Sequence, residues 1–145
     1  MDRRYPKRPI LGVGALIIHQ DRILLVKRGG QPLAGYWSLP GGVVEVGETL
    51  EQAVCREAYE ETRVQVQPVC VAEIFERIMR DASGHVEYHY VLVDYLCRLR
   101  HGSPQASGDA AEVAWFRPDE LPTLRLTEGT LPVILKAFAL AKSGA

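Results

Sequence analysis

The sequence predicts an α/β protein in which helices pack on a mixed β-sheet, and three observations support this prediction. Two apolar runs near the start of the chain are joined by a short turn. One segment with helical spacing lies in the middle of the chain and another closes it, and strand-like runs rich in Val, Tyr and Leu lie between the two. Strands, a helix, strands and a helix in this order favour a mixed sheet over a strictly alternating parallel fold.

The first two strands form a predicted β-hairpin. The apolar, partly β-branched run GVGALIIH (12–19) is followed by the turn QD and by a second apolar run, RILLVKR (22–28). The next segment, GGQPLAGYWSLPGG (29–42), is too rich in Gly and Pro for regular structure. We expect a loop there, with a short extended piece at YWSLP (36–40).

The chain after the central helix is predicted to hold the remaining strands and the closing helix. Alternation and the high content of Val, Tyr and Leu predict the strands, and a proline in the first turn predicts the start of each helical segment. The predicted elements are strands at 64–80 and 84–99 around the turn DASG, a loop at 100–109, a strand at 112–117, a helical turn at 118–121 and a helix at 127–142.

Composition limits the kind of protein. A chain of 145 residues, 47% hydrophobic and 24% charged, is predicted to be one domain over 1–145, with residues 1–9 as a flexible N-terminal arm. The net charge of −1 gives no general basic field for nucleic acid, so we expect no nucleic-acid partner, and any affinity for an anion must come from a local site. The apolar run after the basic start is too short to span a bilayer, so we expect a cytoplasmic protein with no membrane partner. Three widely spaced cysteines argue against a disulfide framework, and a homodimer is left open.

The central helix carries the chemistry. Thr49 followed by Gln52 is a capping-box pattern, which predicts a helix from there to about Thr62. At 100° per residue, three glutamates continue the apolar face of the helix, and the opposite face is predicted to hold Glu51, Gln52, Cys55, Tyr59 and Thr62. The glutamates on the inward face are Glu57, Glu60 and Glu61.

Three carboxylates on an inward face need cations, because an unpaired buried carboxylate costs several kcal/mol. Arg56 can pair with Glu60 at i+4 but cannot neutralise all three. Oxygen ligands without His or Cys suit Mg²⁺, with Mn²⁺ as a substitute, better than zinc. Gly41 and Gly42 in the preceding loop let the backbone approach an ion closely and offer it a carbonyl.

The residues around this helix resemble the signature of the Nudix hydrolases, G-x5-E-x7-R-E-U-x-E-E-x-G-U with U aliphatic. The similarity extends to LLVKR, GYWSLPGG and EVAWFRPDEL and covers roughly residues 10 to 140. Arg63 stands where the family has its last glycine, so a left-handed cap there has to be made by a non-glycine residue, or the helix ends differently. The matching positions are Gly42, Glu48, Arg56, Glu57, Ala58, Glu60, Glu61 and Val64.

The resemblance implies an α/β/α sandwich around a mixed sheet and hydrolysis of a nucleoside diphosphate linked to another moiety. By position, Glu57, Glu60 and Glu61 would bind the metal together with the carbonyl of Gly41. Glu48 and Arg56 would lie behind these ligands and orient them.

The general base is not fixed by the resemblance, because family members place it differently. Asp109 and Glu112 lie in or beside the loop before VAWF, and Glu87 is a third candidate. We choose Glu112 as the general base. The alternative is that Glu112 is a solvated acid at the start of a strand. Arg28 is expected to bind a substrate phosphate or to be a surface charge, and Trp37 to stack on a base or to belong to the core.

A small-molecule nucleotide is therefore the expected substrate, with ADP-ribose favoured by overall similarity to short ADP-ribose pyrophosphatases. Two alternatives stay open. One is a MutT-like hydrolase of nucleoside triphosphates, and the other is a catalytically silent module that binds nucleotides. The intact set of three glutamates favours an enzyme over the silent module.

Overall fold

The computed structural model describes residues 3–144. The ends of the predicted domain, residues 1–2 and 145, lie outside this range. The elements, in chain order, are β1 (Ile10–His19), β2 (Arg22–Arg28), β3 (Trp37–Ser38), β4 (Gly41–Val43), α1 (Leu50–Thr62), β5 (Gln65–Arg80), β6 (Val86–His101), β7 (Ala110–Phe116), a 3₁₀ helix (Pro118–Thr123) and α2 (Thr130–Lys142). Each predicted strand and helix is present, with ends shifted by at most three residues.

The strands form one mixed sheet, as predicted, and it has seven strands, of which β4 begins in the segment predicted as a loop. Its main order is β3-β2-β1-β6-β5, with β4 pairing to β1 and β7 pairing to β2. β1 and β6 run parallel, and the other paired strands run antiparallel. The β1–β2 hairpin is paired only next to its turn, at Ile18 with Ile23 and at His19 with Arg22. Beyond that point β1 pairs with β4 while β2 pairs with β3 and β7.

The two helices cover opposite faces of the sheet, which confirms the predicted sandwich. Val13 and Ile17 of β1 pack with Val54 of α1 in one core cluster. Leu16, which points to the other face of the same strand, packs with Ile134 of α2 in the second cluster. The alternation along β1 therefore shows which side of the sheet each helix covers.

The segment before β1 has no regular secondary structure but contacts the turn between β5 and β6. The backbone N–H of Tyr5 donates to the carbonyl of Glu87 at 2.7 Å, and its hydroxyl donates to Asp81 at 2.8 Å. The flexibility of the arm stays a prediction. Within residues 3–144, no helix is long and apolar enough to cross a membrane.

Candidate active site

Helix α1 begins and ends through local contacts that the sequence encodes. The Thr49 hydroxyl accepts the N–H of Gln52 at 3.1 Å, and the Gln52 side chain accepts the N–H of Thr49 at 2.9 Å, so the predicted capping box is confirmed. At the other end Arg63 adopts the left-handed conformation, with φ 62° and ψ 16°, and donates its N–H to Tyr59. The cap that glycine usually forms is therefore made here by arginine.

The predicted faces of α1 need two corrections. Thr62, placed on the outer face by the helical wheel, is fully buried and donates its hydroxyl to the carbonyl of Ala58 at 2.6 Å. Glu60, placed on the inner face, has a side chain that is 53% exposed. The reason is that the buried stripe of α1 passes through Ala58 to Thr62 at its C-terminal end, so Glu60 lies at the rim while Glu57 and Glu61 are turned inward.

Arg56 holds three carboxylates at once. Its guanidinium donates to Glu48 at 2.6 Å, to Glu57 at 2.8 Å and, less closely, to Glu60 at 3.3 Å. It also donates to the carbonyl of Val43 at 3.0 Å, which ties α1 to β4. The hydrogen bond from Arg56, together with one from the Glu45 N–H, lowers the pKa of Glu48 to about 2. Arg56 thus pairs with more acids than the single i+4 partner that the sequence predicts.

Glu61 is the carboxylate that Arg56 does not reach. Among the described residues it accepts one hydrogen bond, from the N–H of Gly41 at 2.9 Å, and it forms no ion pair with Lys or Arg. Its pKa is raised to about 7, chiefly by burial and also by the charges of Glu57 and Asp109, while the Gly41 hydrogen bond and the charge of Arg28 oppose the shift. Burial also raises the pKa of Glu57, against the opposing effect of Arg56. Two inward carboxylates are therefore incompletely compensated.

The glycine loop leaves room for these acids. A Cβ at Gly42 would overlap the Glu57 carboxylate, and a Cβ at Gly41 would overlap the backbone of Val13. Both positions therefore require glycine, because a side chain there would collide with the neighbouring atoms. The chemistry of the donors fits a hard divalent cation, because carboxylate oxygens and backbone carbonyls are what Mg²⁺ prefers. In residues 3–144, no three His, Cys, Asp or Glu side chains are already gathered as a ligand set, since the carboxylates are turned to Arg56 and to the Gly41 N–H.

The acids open onto a cleft of about 770 Å³, a volume typical of small-ligand sites. One end of the cleft is formed by α1 and β4 and contains the acid cluster, defined here as Glu57, Glu60 and Glu61. The other end, which we call the cleft floor, is formed by residues of β1, β5, β6 and the start of α2. The floor residues are Gly12, Gly14, Phe75, Arg77, Leu92, Asp94 and Val133.

Two of the remaining predicted site residues lie apart from this cleft. Trp37 packs edge-on against Phe116 with ring centroids 5.0 Å apart, in the core cluster under α2, and so takes the core role that the sequence left open. Glu112 pairs with Lys27 at 3.1 Å across β2 and β7. It shares a sheet face with Phe116, on the side covered by α2, and its side chain is 58% exposed.

Two other predicted residues do line the cleft. Arg28 is among the lining residues and donates its Nε to the carbonyl of Pro32 at 2.7 Å. Asp109, the alternative to Glu112, also lines the cleft, and its charge acts on Glu61. The geometry therefore favours Asp109 over Glu112 as the acid that completes the cluster.

The sequence reading missed the cleft floor and its buried acid, Asp94. One signal was available: Asp94 is the only charged residue in the run VLVDYLC, where an apolar strand would be expected. A second signal was GVG in β1, because Gly12 and Gly14 fall on the same strand face and lie in register with Leu92 and Asp94. Two glycines on one face of a central strand indicate a place where something must approach the sheet.

Comparison with known proteins agrees with this fold and site. The family model of the NUDIX domain matches residues 8–137. An ADP-ribose pyrophosphatase of Methanocaldococcus jannaschii is 35% identical over 116 residues, which are 80% of this chain and 66% of that protein. The chain thus covers slightly less than two thirds of this relative.

Solved structures show the same architecture. A MutT NUDIX hydrolase from Burkholderia pseudomallei has a TM-score of 0.79 at 34% identity, over 90% of this chain and 98% of the other. The NUDIX domain of Shewanella oneidensis NrtR, solved in complex with ADP ribose, has a TM-score of 0.73 at 27% identity, over 94% of this chain and 90% of that one.

Proposed function

This chain belongs to the Nudix hydrolase family, and from that premise we propose that it is a divalent-metal-dependent hydrolase of the pyrophosphate bond in a nucleoside diphosphate linked to a second moiety, with ADP-ribose as the preferred substrate. The observation that carries the proposal is the acid cluster. Glu57 and Glu61 are turned into a nucleotide-sized cleft, and Glu61 forms no ion pair with Lys or Arg among the described residues. Carboxylates kept in this state are suited to bind a cation that arrives with a polyanionic substrate.

Glu57, Glu60 and Glu61, with the carbonyl of Gly41, would hold Mg²⁺ or Mn²⁺. When bound, the cation neutralises pyrophosphate oxygens and lowers the pKa of a water so that it can attack phosphorus. Arg56 keeps Glu57 and Glu60 on one side of the helix, and Glu48 fixes the direction of the Arg56 guanidinium through two hydrogen bonds, at 2.6 and 3.0 Å. These residues preserve the spacing of the carboxylates without occupying all their oxygens.

Asp109 is the residue we assign to receive the proton of the attacking water. It lines the cleft on the side of Glu61, whereas Glu112 is engaged with Lys27. The oxygen of the water forms a bond to one phosphorus of the substrate while the bridging P–O bond breaks. ADP-ribose would then yield AMP and ribose 5-phosphate, and Arg28, which also lines the cleft, would stabilise the phosphate charge.

The preference for ADP-ribose is supported by two of the similar proteins, the archaeal ADP-ribose pyrophosphatase and the NrtR domain that binds ADP ribose. The second candidate is hydrolysis of a nucleoside triphosphate, which the similarity to a CTP pyrophosphohydrolase of Escherichia coli favours. The two reactions differ in product, because a triphosphate releases pyrophosphate and a monophosphate.

A substrate panel tests the proposal. The chain is incubated with ADP-ribose and with canonical and oxidised deoxynucleoside triphosphates, in Mg²⁺ and in excess EDTA, and the products are separated by chromatography. We expect kcat/KM for ADP-ribose at least about tenfold above that for any triphosphate, and no turnover in EDTA. If a triphosphate is cleaved in preference to ADP-ribose, the substrate is a nucleoside triphosphate and the assignment of ADP-ribose is wrong. Binding without turnover in Mg²⁺ or Mn²⁺ would indicate the silent nucleotide-binding module.

A further inference from the structure

Asp94 is a buried carboxylate that has no role in the proposed hydrolysis. It lies in the middle of β6 on the cleft floor and is only 5% exposed. Within residues 3–144 it makes no hydrogen bond and no ion pair, yet neither of its oxygens is sealed from the cleft. A buried carboxylate at the wall of a ligand cleft lowers the stability of the folded chain unless a ligand donates a hydrogen bond to it.

The strands around Asp94 leave space for it. Gly14 lies opposite Asp94 in register, and a Cβ at Gly14 would collide with the Asp94 carboxylate. The neighbouring Gly12 likewise has no side chain to cover Leu92. Because both glycines are on the central strand of the sheet, the side chains of Leu92 and Asp94 occupy the space over β1 that larger residues would fill.

Two charged groups face Asp94 from β5, and neither satisfies it. Arg77 donates to the carbonyl of Glu128 at 2.9 Å and lies over the ring of Phe75, with its guanidinium carbon 5.3 Å from the ring centroid. Glu73, paired with Asp94 in register, is held by Lys136 at 3.3 Å. The other side chains of the floor, those of Phe75, Leu92 and Val133, are apolar, and so is Leu39, which lies beside Gly14.

We propose that Asp94 reads the nucleobase of the substrate by accepting a hydrogen bond from an exocyclic amino group. This inference rests on the proposed function, because it assigns the base-binding end of the same cleft. Apart from Arg77, whose guanidinium is bound to the carbonyl of Glu128 and lies over the ring of Phe75, the walls around Asp94 are apolar. Such walls around one acceptor suit a planar ring with one polar edge, whereas a ribose would need several polar partners and a phosphate beside Asp94 would be repelled by its carboxylate. The acid cluster at the other end of the cleft is left to the pyrophosphate.

The inference predicts discrimination between bases that differ by one group. Adenine and guanine each carry an exocyclic amine that a carboxylate accepts, and hypoxanthine carries none. In hypoxanthine a carbonyl oxygen stands where adenine has its amine, so the two oxygens would repel each other. A site that hydrogen-bonds one polar group rejects the analogue that lacks it far more strongly than a site that reads shape alone.

Binding of product-like monophosphates tests the inference without turnover. AMP, 2′-deoxy-AMP, GMP and IMP are titrated calorimetrically into the wild-type chain, Asp94→Asn and the control Glu73→Gln, near pH 8. We expect the wild type to bind AMP or GMP at least about tenfold more tightly than IMP, and Asp94→Asn to reduce that ratio to about threefold or less, because an amide can also donate to the carbonyl of hypoxanthine. Glu73→Gln removes a carboxylate of the same sheet face outside the cleft lining and is expected to keep the wild-type ratio.

Four outcomes would overturn the assignment. If IMP binds as tightly as AMP and GMP while the chain hydrolyses ADP-ribose, the role of Asp94 is refuted and the proposed function is not. A preference unchanged in Asp94→Asn, with thermal unfolding showing that the variant is folded, would do the same. If Asp94→Asn instead abolished a preference for AMP over 2′-deoxy-AMP, the carboxylate would be reading the ribose. Failure of the wild type to bind any nucleotide would refute the nucleotide cleft itself.

Discussion

Substitution of Asp94 by Asn is predicted to stabilise the chain in a way that depends on pH. Burial raises the pKa of Asp94 from 3.8 to about 6; Arg77 opposes this shift and Glu73 adds to it. Between these two values the folded chain binds more protons than the unfolded chain, so the stability of the wild type falls as pH rises through this window and is constant above it. A shift of about two units corresponds to about 3 kcal/mol, all of it lost by about pH 7.

Urea unfolding of both chains in EDTA measures this difference. With those pKa values, the advantage of Asp94→Asn over the wild type should be about 2 kcal/mol larger at about pH 8 than at about pH 4.5. Glu73→Gln is a matched control, because hydrogen bonding to Lys136 lowers the pKa of Glu73 and its pH dependence has the opposite sign. Equal differences between wild type and Asp94→Asn at the two pH values would show that Asp94 is not an uncompensated buried carboxylate.

Three further predictions concern α1 and the proposed chemistry. Arg63→Gly is expected to raise the free energy of unfolding by up to about 1 kcal/mol, because glycine forms the left-handed cap without a Cβ clash; a less stable variant would show that the stacking of Arg63 on Tyr59 outweighs it. Glu57→Gln is expected to lower kcat at least about 100-fold with the fold retained, and turnover close to wild type at saturating Mg²⁺ would contradict its role as ligand. Asp109→Asn is expected to lower kcat about 100-fold and Glu112→Gln less than about threefold, and the reverse order would restore Glu112 as the base.

Much of the fold follows from local signals in the sequence. The capping box at Thr49 and Gln52 fixes the start of α1 because both hydrogen bonds are made within one turn. The hairpin of β1 and β2 and the strands β5 and β6 are likewise set by residues close together in the chain. The glutamates of α1 were identifiable for the same reason, since three acids within five positions must share part of a helix surface.

The misplaced residues depend on contacts between distant parts of the chain. Glu112 pairs with Lys27 because β7 adds to the edge of β2, and no local pattern specifies that pairing. Thr62 is buried because the C-terminal end of α1 packs on the sheet, which a helical wheel cannot show. The sequence does not single out Asp94, because the residues that lie beside it, Gly14 and Glu73, come from two other strands.

The two ends of the cleft imply that rate and selectivity vary independently. The acid cluster is supplied by α1. Arg56 ties Glu57 and Glu60 to Glu48 and to the carbonyl of Val43, and the N–H of Gly41 holds Glu61, so among the described residues no side chain of the floor bonds to these acids. The floor is supplied by β1, β5 and β6, whose backbones are fixed by the sheet.

A substitution in the cluster should therefore lower turnover of every substrate by a similar factor, because all of them present the same pyrophosphate. A substitution at Asp94 should change the ratio between bases while the requirement for metal stays the same. If Asp94→Asn changed the metal dependence, or Glu57→Gln changed the base ratio, the two ends would be coupled and the division of roles proposed here would not hold.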